Sequence, residues 1–375
     1  MNSRSFNPDE TALPGIRALR PYQPGKPMEE LERELGLTET LKLASNENPL
    51  GPSPLGAEAA AAAAGGVNLY PDDVGFRLRN KLAQRLAVAP EAITLGSGSS
   101  DVIDMVARSF LGPGRNAVYA QYCFAMYPIY TQACGAEGRT APAYAPDHPW
   151  MAYGHDLESM AEAVDDDTRV VFVTNPNNPT GTWSTRGELE AFLQSVPRHV
   201  VVVLDEAYTE YVRDDEYPDG VALLPDYPNL VVTRTFSKIY GLAGLRVGYG
   251  VSSPELAGMI NRVRHPFNVN SAALAAAEAA LDDEDFLRRS VEVNRKGLVQ
   301  LREGLEGMGL KVIPSVGNFI TVDLGRSAEP VYDALLREGV IVRPIANYGM
   351  PDHLRITVGM VGQNERVLEA LGAHT

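Results

Sequence analysis

The sequence predicts an α/β fold in which a large domain on a mostly parallel sheet is followed by a smaller α+β domain. Three observations predict it. Short valine-rich runs alternate with helical stretches between residues 92 and 233, the pattern of a largely parallel sheet covered on both faces. After about residue 270 the texture changes to alanine-rich and long helices with a few late strands. The chain is also long enough, at 375 residues, to build two domains.

Residues 1–45 carry scattered prolines and one modest helix candidate, Met28 to Leu35, and read as an arm packed with the small domain. Residues 46–269 are expected to form the large domain. An alanine-rich helix at about Gly56 to Ala64 precedes one at Phe76 to Ala87, with Leu78, Leu82 and Leu86 on one face. Ala92 to Leu95 is the first short strand; Gly96-Ser97-Gly98-Ser99-Ser100 then leads into a helix from Asp101 to Phe110. Further strands are expected at Ala117 to Ala120, Val170 to Thr174, Val200 to Leu204 and Leu230 to Thr233. Helices near Tyr127 to Cys134, Leu157 to Val164 and Gly187 to Ser195 separate them. Residues 270–375 make the small domain: a helix at Ser271 to Leu281, a long one carrying Leu298, Leu301 and Leu305, and one at Pro330 to Glu338. Its strands are expected at Lys311 to Ile313, Asn318 to Val322, Val340 to Val342 and Leu354 to Val358.

With 45% apolar and 22% charged residues the composition is that of a globular chain. A formal charge of −15 argues against nucleic acid or an anionic membrane as a general partner, so an anionic ligand would need locally gathered arginines. Cys123 and Cys134 make no disulfide framework, and no Cys/His cluster has zinc spacing, so no metal is expected. The opening MNSRSFNPDE lacks the apolar core of a signal peptide, and no apolar run reaches the roughly 18 residues of a membrane span. The expected location is the cytoplasm.

Polar groups gather where the strands end. Leu230 to Thr233 runs into Thr235, Ser237 and Lys238, then a segment with Gly241, Ala243 and Gly244, and Arg246. A lysine past the end of a buried strand lies where open α/β sheets place their sites, and loses hydration there, which frees an amine to hold an aldehyde as a Schiff base. Val200 to Leu204 runs into Asp205-Glu206-Ala207-Tyr208, where a buried carboxylate needs a cation such as a protonated ring nitrogen. A metal or structural Asp-Glu pair explains that piece alone equally well. Val170 to Thr174 runs into Asn175-Pro176-Asn177-Asn178-Pro179-Thr180-Gly181, whose amides can donate to a ligand oxygen. Gly98-Ser99-Ser100 at a helix start suits a phosphate, though serine N-capping is also common. Amine, carboxylate, amide, phenol and phosphate cradle are together what pyridoxal 5'-phosphate requires.

On these residues the chain resembles the fold-type I, pyridoxal phosphate-dependent aminotransferases, and most nearly the histidinol-phosphate aminotransferases. The resemblance runs from Tyr22 onward, through Ser45-Asn46-Glu47-Asn48-Pro49, Asn175 to Gly181, Asp205 to Tyr208, Arg234 to Tyr249, Arg264 to Asn270, Gly317-Asn318-Phe319 and Val340 to Gly359. It implies that Lys238 carries the cofactor and shuttles the proton. Asp205 is then expected at the ring nitrogen, and Asn178 and Tyr208 at the ring oxygen. Ser99, Ser100, Ser237 and Arg246 are expected at the phosphate, with Tyr70 contributed by the second subunit of a homodimer. Where the family has Pro-Thr-Tyr-Gly-Met-Tyr, this chain has Tyr122-Cys123-Phe124-Ala125-Met126-Tyr127, so Phe124 stands at the ring-stacking place without a phenolic hydroxyl. Tyr22, Asn46, Asn347, Arg343 and Arg355 are expected to bind substrate, the arginines facing its anionic group. The small-molecule partners implied are L-histidinol phosphate as amino donor and 2-oxoglutarate as 2-oxo acid, in histidine biosynthesis. Transamination of phenylalanine or tyrosine is the alternative, and a threonine-phosphate decarboxylase-like reaction a third reading.

Overall fold

The structure, a computed structural model, describes residues 6–375. The first five residues of the expected arm lie outside the described residues. Two short helices, Pro8–Thr11 and Pro14–Ala18, open the arm; Met28–Leu35 follows, then strand β1 (Leu41–Lys42). The seven strands of the large sheet come next: β2 (Ile93–Gly96), β3 (Asn116–Ala120), β4 (Glu137–Ala141), β5 (Thr168–Thr174), β6 (Val201–Asp205), β7 (Leu230–Thr235) and β8 (Gly248–Ser252). Their order across the sheet is β2-β8-β7-β6-β5-β3-β4, and only β8 runs against its neighbours. The mostly parallel sheet is therefore as expected.

Alternation along β5, β6 and β7 gives this sheet two buried faces. Phe172, Val201, Val203 and Val231 pack beneath the helix Ser99–Phe110, while Val171, Val173, Val202, Leu204 and Val232 face the opposite core. Two strands of this sheet escape the sequence reading. β4, Glu137-Gly138-Arg139-Thr140-Ala141, lies at the sheet edge and is too polar to read as a buried run, and β8 is glycine-rich.

The smaller unit is a four-stranded antiparallel sheet, ordered β12-β13-β10-β9, from β9 (Lys311–Ile313), β10 (Phe319–Asp323), β12 (Arg343–Ile345) and β13 (Met350–Thr357). The short β11 (Val340–Ile341) pairs instead with β1, in parallel. Leu301, Leu305, Ile320, Leu335, Leu354 and Ile356 form its core, and Leu41 and Leu43 of the arm join them. Residues 28–43 of the arm thus pack with the small unit, and Arg343 of that unit also donates to Gln23 O, whereas the start of the arm meets the large unit. There Gln132 Nε2, on the helix Met126–Ala133 of the large unit, donates to Gly15 O at 2.9 Å.

The helix Ser271–Ala280, assigned by its position to the small domain, packs in the large core. Its Ala273, Ala276, Ala277 and Ala280 form a small-residue face that lets the helix Pro54–Ala63 approach closely. The helix Glu284–Gly307 connects the two cores: Leu287 and Val291 touch the first, and Leu298, Leu301 and Leu305 the second. Among the described residues no helix is long and apolar enough to cross a membrane, and no group of His, Cys, Asp and Glu could hold a metal ion.

Candidate active site

The C-terminal ends of β5, β6 and β7 open into a cavity of about 430 Å³, the position open α/β sheets use for ligands. Lys238, Asp205, Tyr208, Asn178, Ser99, Ser100, Ser237, Arg246, Phe124, Tyr22, Asn46 and Arg355 all line it. Three sequence-derived candidates do not. Arg343 turns its guanidinium to Gln23 O and over the Tyr22 ring, 5.7 Å from the centroid. Asn347 is exposed and lines a neighbouring hollow with Tyr22. Tyr70, 82% exposed, stacks on Phe267 at 4.6 Å, outside this cavity.

Register explains the carboxylate. Thr174, Asp205 and Thr233 are paired across β5, β6 and β7, so the three side chains form one row on the cavity side. Thr233 Oγ1 donates to Asp205 Oδ1 at 3.0 Å and Tyr127 Oη donates to Oδ2 at 2.9 Å. Asp205 is 4% exposed, and no lysine or arginine of the described residues forms an ion pair with it. Burial pushes its pKa up to about 6, against the pull of the Tyr127 and Thr233 hydrogen bonds.

The same alternation sends Glu206 to the other face, which separates the two carboxylates the sequence left as a pair. Arg234 Nη2 meets Glu206 Oε2 at 2.7 Å and Asp219 Oδ1 at 2.8 Å. Glu206 is fully buried, so removing its partner strands a charge. Arg234→Met is expected to lower unfolding stability by about 3–5 kcal/mol in urea titration. A loss below about 1 kcal/mol would show that the pair is dispensable.

Lys238 Nζ donates to Ser45 O at 3.0 Å and stands 5.9 Å from the centre of the Tyr208 ring. Burial, joined by the nearby Arg355, brings its pKa down to about 7. Tyr208 Oη accepts from Asn46 Nδ2 at 2.9 Å, which leaves the phenol proton free for a ligand. Asn178 Oδ1 accepts from Arg355 Nη1, which leaves the amide Nδ2 free in the same way. Arg355, 5% exposed, also donates to Ala44 O at 2.8 Å, while its buried Nε has no partner.

At the other end of the cavity, the helix Ser99–Phe110 presents its N-terminus. Gly98 precedes it with φ +88°, and a Cβ there would sit 2.5 Å from Arg246 Nη2, so glycine meets both the backbone angle and the arginine's approach. Arg246 Nη1 donates to Ser237 Oγ at 3.3 Å. Gly241 (φ +68°) serves the chain itself, since a Cβ there would lie 2.1 Å from Gly51 O. Tyr127, Thr174 and Thr233 escaped the sequence reading. Their only sequence signal is that two of them are hydroxyls at the ends of buried strands, and register is what brings these to Asp205.

A buried amine of lowered pKa, a carboxylate at a strand end and a helix N-terminus flanked by arginine define a class, and comparison with known proteins finds the same class. The family model for aminotransferase class I and II matches residues 38–371, and the chain belongs to that family. Within it, the chain is similar to histidinol-phosphate aminotransferases. It is 57% identical over 360 residues to histidinol-phosphate aminotransferase 2 of Methylococcus capsulatus, covering 96% of this chain and 97% of the relative. It is 58% identical over 363 residues to the protein of the same name in Pseudomonas aeruginosa, covering 96% of each. The crystal structure of the histidinol-phosphate aminotransferase from Sinorhizobium meliloti, in complex with pyridoxal-5'-phosphate, is 30% identical with a TM-score of 0.85, covering 96% of this chain and 95% of that one. Aspartate aminotransferase from Thermus thermophilus, 21% identical, shares the fold at a TM-score of 0.83 over 96% of this chain and 99% of that one.

Proposed function

We propose that this chain is a pyridoxal phosphate-dependent transaminase that exchanges the amino group between L-histidinol phosphate and 2-oxoglutarate, giving imidazole acetol phosphate and L-glutamate in histidine biosynthesis. The names of its relatives support the substrate, and the complex of the Sinorhizobium meliloti protein supports the cofactor. One observation in this chain carries the reading: within one cavity, Asp205 is a buried anion without a cation, while Arg246 and Arg355 form no ion pair with any carboxylate of the described residues. Pyridoxal phosphate and an anionic substrate supply both kinds of missing charge.

The residues fit that cofactor. Asp205 would hold the ring nitrogen, Asn178 Nδ2 and Tyr208 Oη the ring oxygen, and Phe124 one ring face. Ser99, Ser100, Ser237 and Arg246 would hold the phosphate at the helix N-terminus. When bound, the cofactor supplies an aldehyde for a primary amine and an electron-withdrawing ring that stabilises negative charge on the attached carbon. Asp205, with a pKa of about 6, is ionised at pH 7. Lys238, near 7, is neutral in a large fraction of molecules, so Nζ can act as nucleophile and can accept and return a proton. Its hydrogen bond to Ser45 O holds that amine in place.

Arg355 is assigned to the substrate's anionic group, since a planar guanidinium bonds phosphate and carboxylate alike. Arg343 lies directly opposite Arg355 across β12 and β13, a costly pairing of like charges that an anion would relieve. Tyr22, held by Arg343, and Asn46 are assigned to the same substrate, with Asn347 at its outer edge. We read the protein as a homodimer in which Tyr70 reaches the partner's cofactor phosphate. Exposed Val67, Leu69, Tyr70 and Phe76 support this as an apolar contact surface. The chain is divided as an arm over 1–45, a large cofactor-binding domain over 46–269 and a small domain over 270–375, whose first helix packs back on the large one.

The test is a substrate panel with 2-oxoglutarate as acceptor. We expect kcat/KM for L-histidinol phosphate to exceed that for phenylalanine by about a hundredfold or more, because phenylalanine lacks the phosphate. A preference for phenylalanine would overturn the substrate assignment.

A further inference from the structure

Asp205 is the acceptor of a hydrogen-bond chain that begins two elements away. Tyr127, 0% exposed, lies in the first turn of the helix Met126–Ala133, and its hydroxyl is 2.9 Å from Asp205 Oδ2 and 2.7 Å from Thr174 Oγ1. An ionised carboxylate can only accept, so the single proton of Tyr127 goes to Asp205 and Thr174 donates to the tyrosine oxygen. Thr233 closes the other side by donating to Oδ1. Each carboxylate oxygen thus has one side-chain donor from within the protein, and each keeps capacity for a cation.

Packing holds this chain in one geometry. The Tyr127 ring stacks on Phe172, centroids 4.7 Å apart and planes 5° from parallel, and Phe124 meets its edge at 5.7 Å. Phe172 lies two residues before Thr174 on β5, so one strand face supplies both the stacking partner and the hydroxyl donor. Linked donors polarise one another, so Thr174 makes the Tyr127 hydroxyl a stronger donor to Asp205.

We propose that Tyr127 is a positioning residue for the cofactor's ring nitrogen. Its hydroxyl, aligned by Thr174, fixes the plane of the Asp205 carboxylate and stabilises its ionised form. It touches neither cofactor nor substrate and acts only through Asp205. This rests on the proposed pyridoxal phosphate site.

Tyr127→Phe keeps the ring stack and deletes only the hydroxyl. The experiment compares the dissociation constants of two ligands from the apoprotein: pyridoxal phosphate, and its deaza analogue with carbon in place of the ring nitrogen. For Tyr127→Phe we expect about tenfold weaker binding of pyridoxal phosphate, the worth of one hydrogen bond to a charged group, and unchanged binding of the deaza analogue. Thr174→Val is expected to shift the same way by a smaller factor, and it decides the matter should Tyr127→Phe not fold. In the steady state, kcat should fall while KM for the amino donor stays within about twofold. Equal weakening of both ligands would make Tyr127 a general packing residue, and no weakening of either would make the hydrogen bond idle; each result overturns the proposal. Failure of the unmodified protein to bind pyridoxal phosphate would instead remove the reading beneath it.

Discussion

Lys238→Ala is expected to lower kcat by about 10⁴-fold or more and to leave the protein colourless after incubation with pyridoxal phosphate and dialysis. Among the described residues Lys238 is the only lysine that lines the cavity, so no other lysine amine of those residues is in place to take over. Its surroundings explain why this lysine can act at neutral pH. Burial and Arg355 disfavour the ammonium, Glu47 and Asp205 partly restore it, and the balance is a pKa of about 7. The substitution removes the proposed nucleophile and proton carrier together. Steady-state turnover and the visible absorption of the dialysed protein are the two measurements. Activity within tenfold of the unmodified enzyme would place the chemistry on another residue.

Arg355→Ala carries the second large effect. Arg355 is buried in the cavity wall with no carboxylate among its partners; its contacts are Asn178 Oδ1, Ala44 O and the face of Phe319, 5.3 Å from the ring centre. Burial lowers its pKa, so the charged form is held at a cost that an anionic substrate would repay. We expect kcat/KM for L-histidinol phosphate to drop about a hundredfold or more, the worth of a charge-assisted bidentate contact. The dissociation constant of pyridoxal phosphate should change by no more than about threefold, through the loosened Asn178 amide. Arg355→Lys should recover only part of the loss, because an ammonium keeps the charge without the planar fork. Equal losses for substrate and cofactor would move Arg355 into the cofactor site.

The strand ends are the most legible part of this sequence. Val201-Val202-Val203-Leu204 is too apolar for anywhere but a sheet interior, so the carboxylate that follows it has to face something that neutralises it. Lys238, past β7, follows the same logic. Spacing alone does not disclose register, and register is what aligns Thr174, Asp205 and Thr233 and sends Glu206 away to Arg234. Tyr127 is illegible for the same reason, since nothing in Met126-Tyr127-Pro128 tells which strand its hydroxyl meets. Arg343 and Arg355 look equivalent in the sequence. Across β12 and β13 they are neighbours, yet Arg355 enters the cavity while Arg343 grips the arm at Gln23. The alanine-rich helix Ser271–Ala280 looks like the start of a new domain by position, but its four buried alanines fit only a close helix partner, and that partner, Pro54–Ala63, lies in the large unit.

The proposed attachment point of the cofactor's aldehyde in this chain is Lys238 Nζ. Borohydride reduction of the protein loaded with pyridoxal phosphate makes that attachment permanent, and peptide mass spectrometry then locates it. The cofactor mass is expected on the peptide containing Lys238, and lost when excess L-histidinol phosphate is added before the reductant. Attachment at Lys42, Lys81 or another lysine, with the Lys238 peptide unmodified, would contradict it.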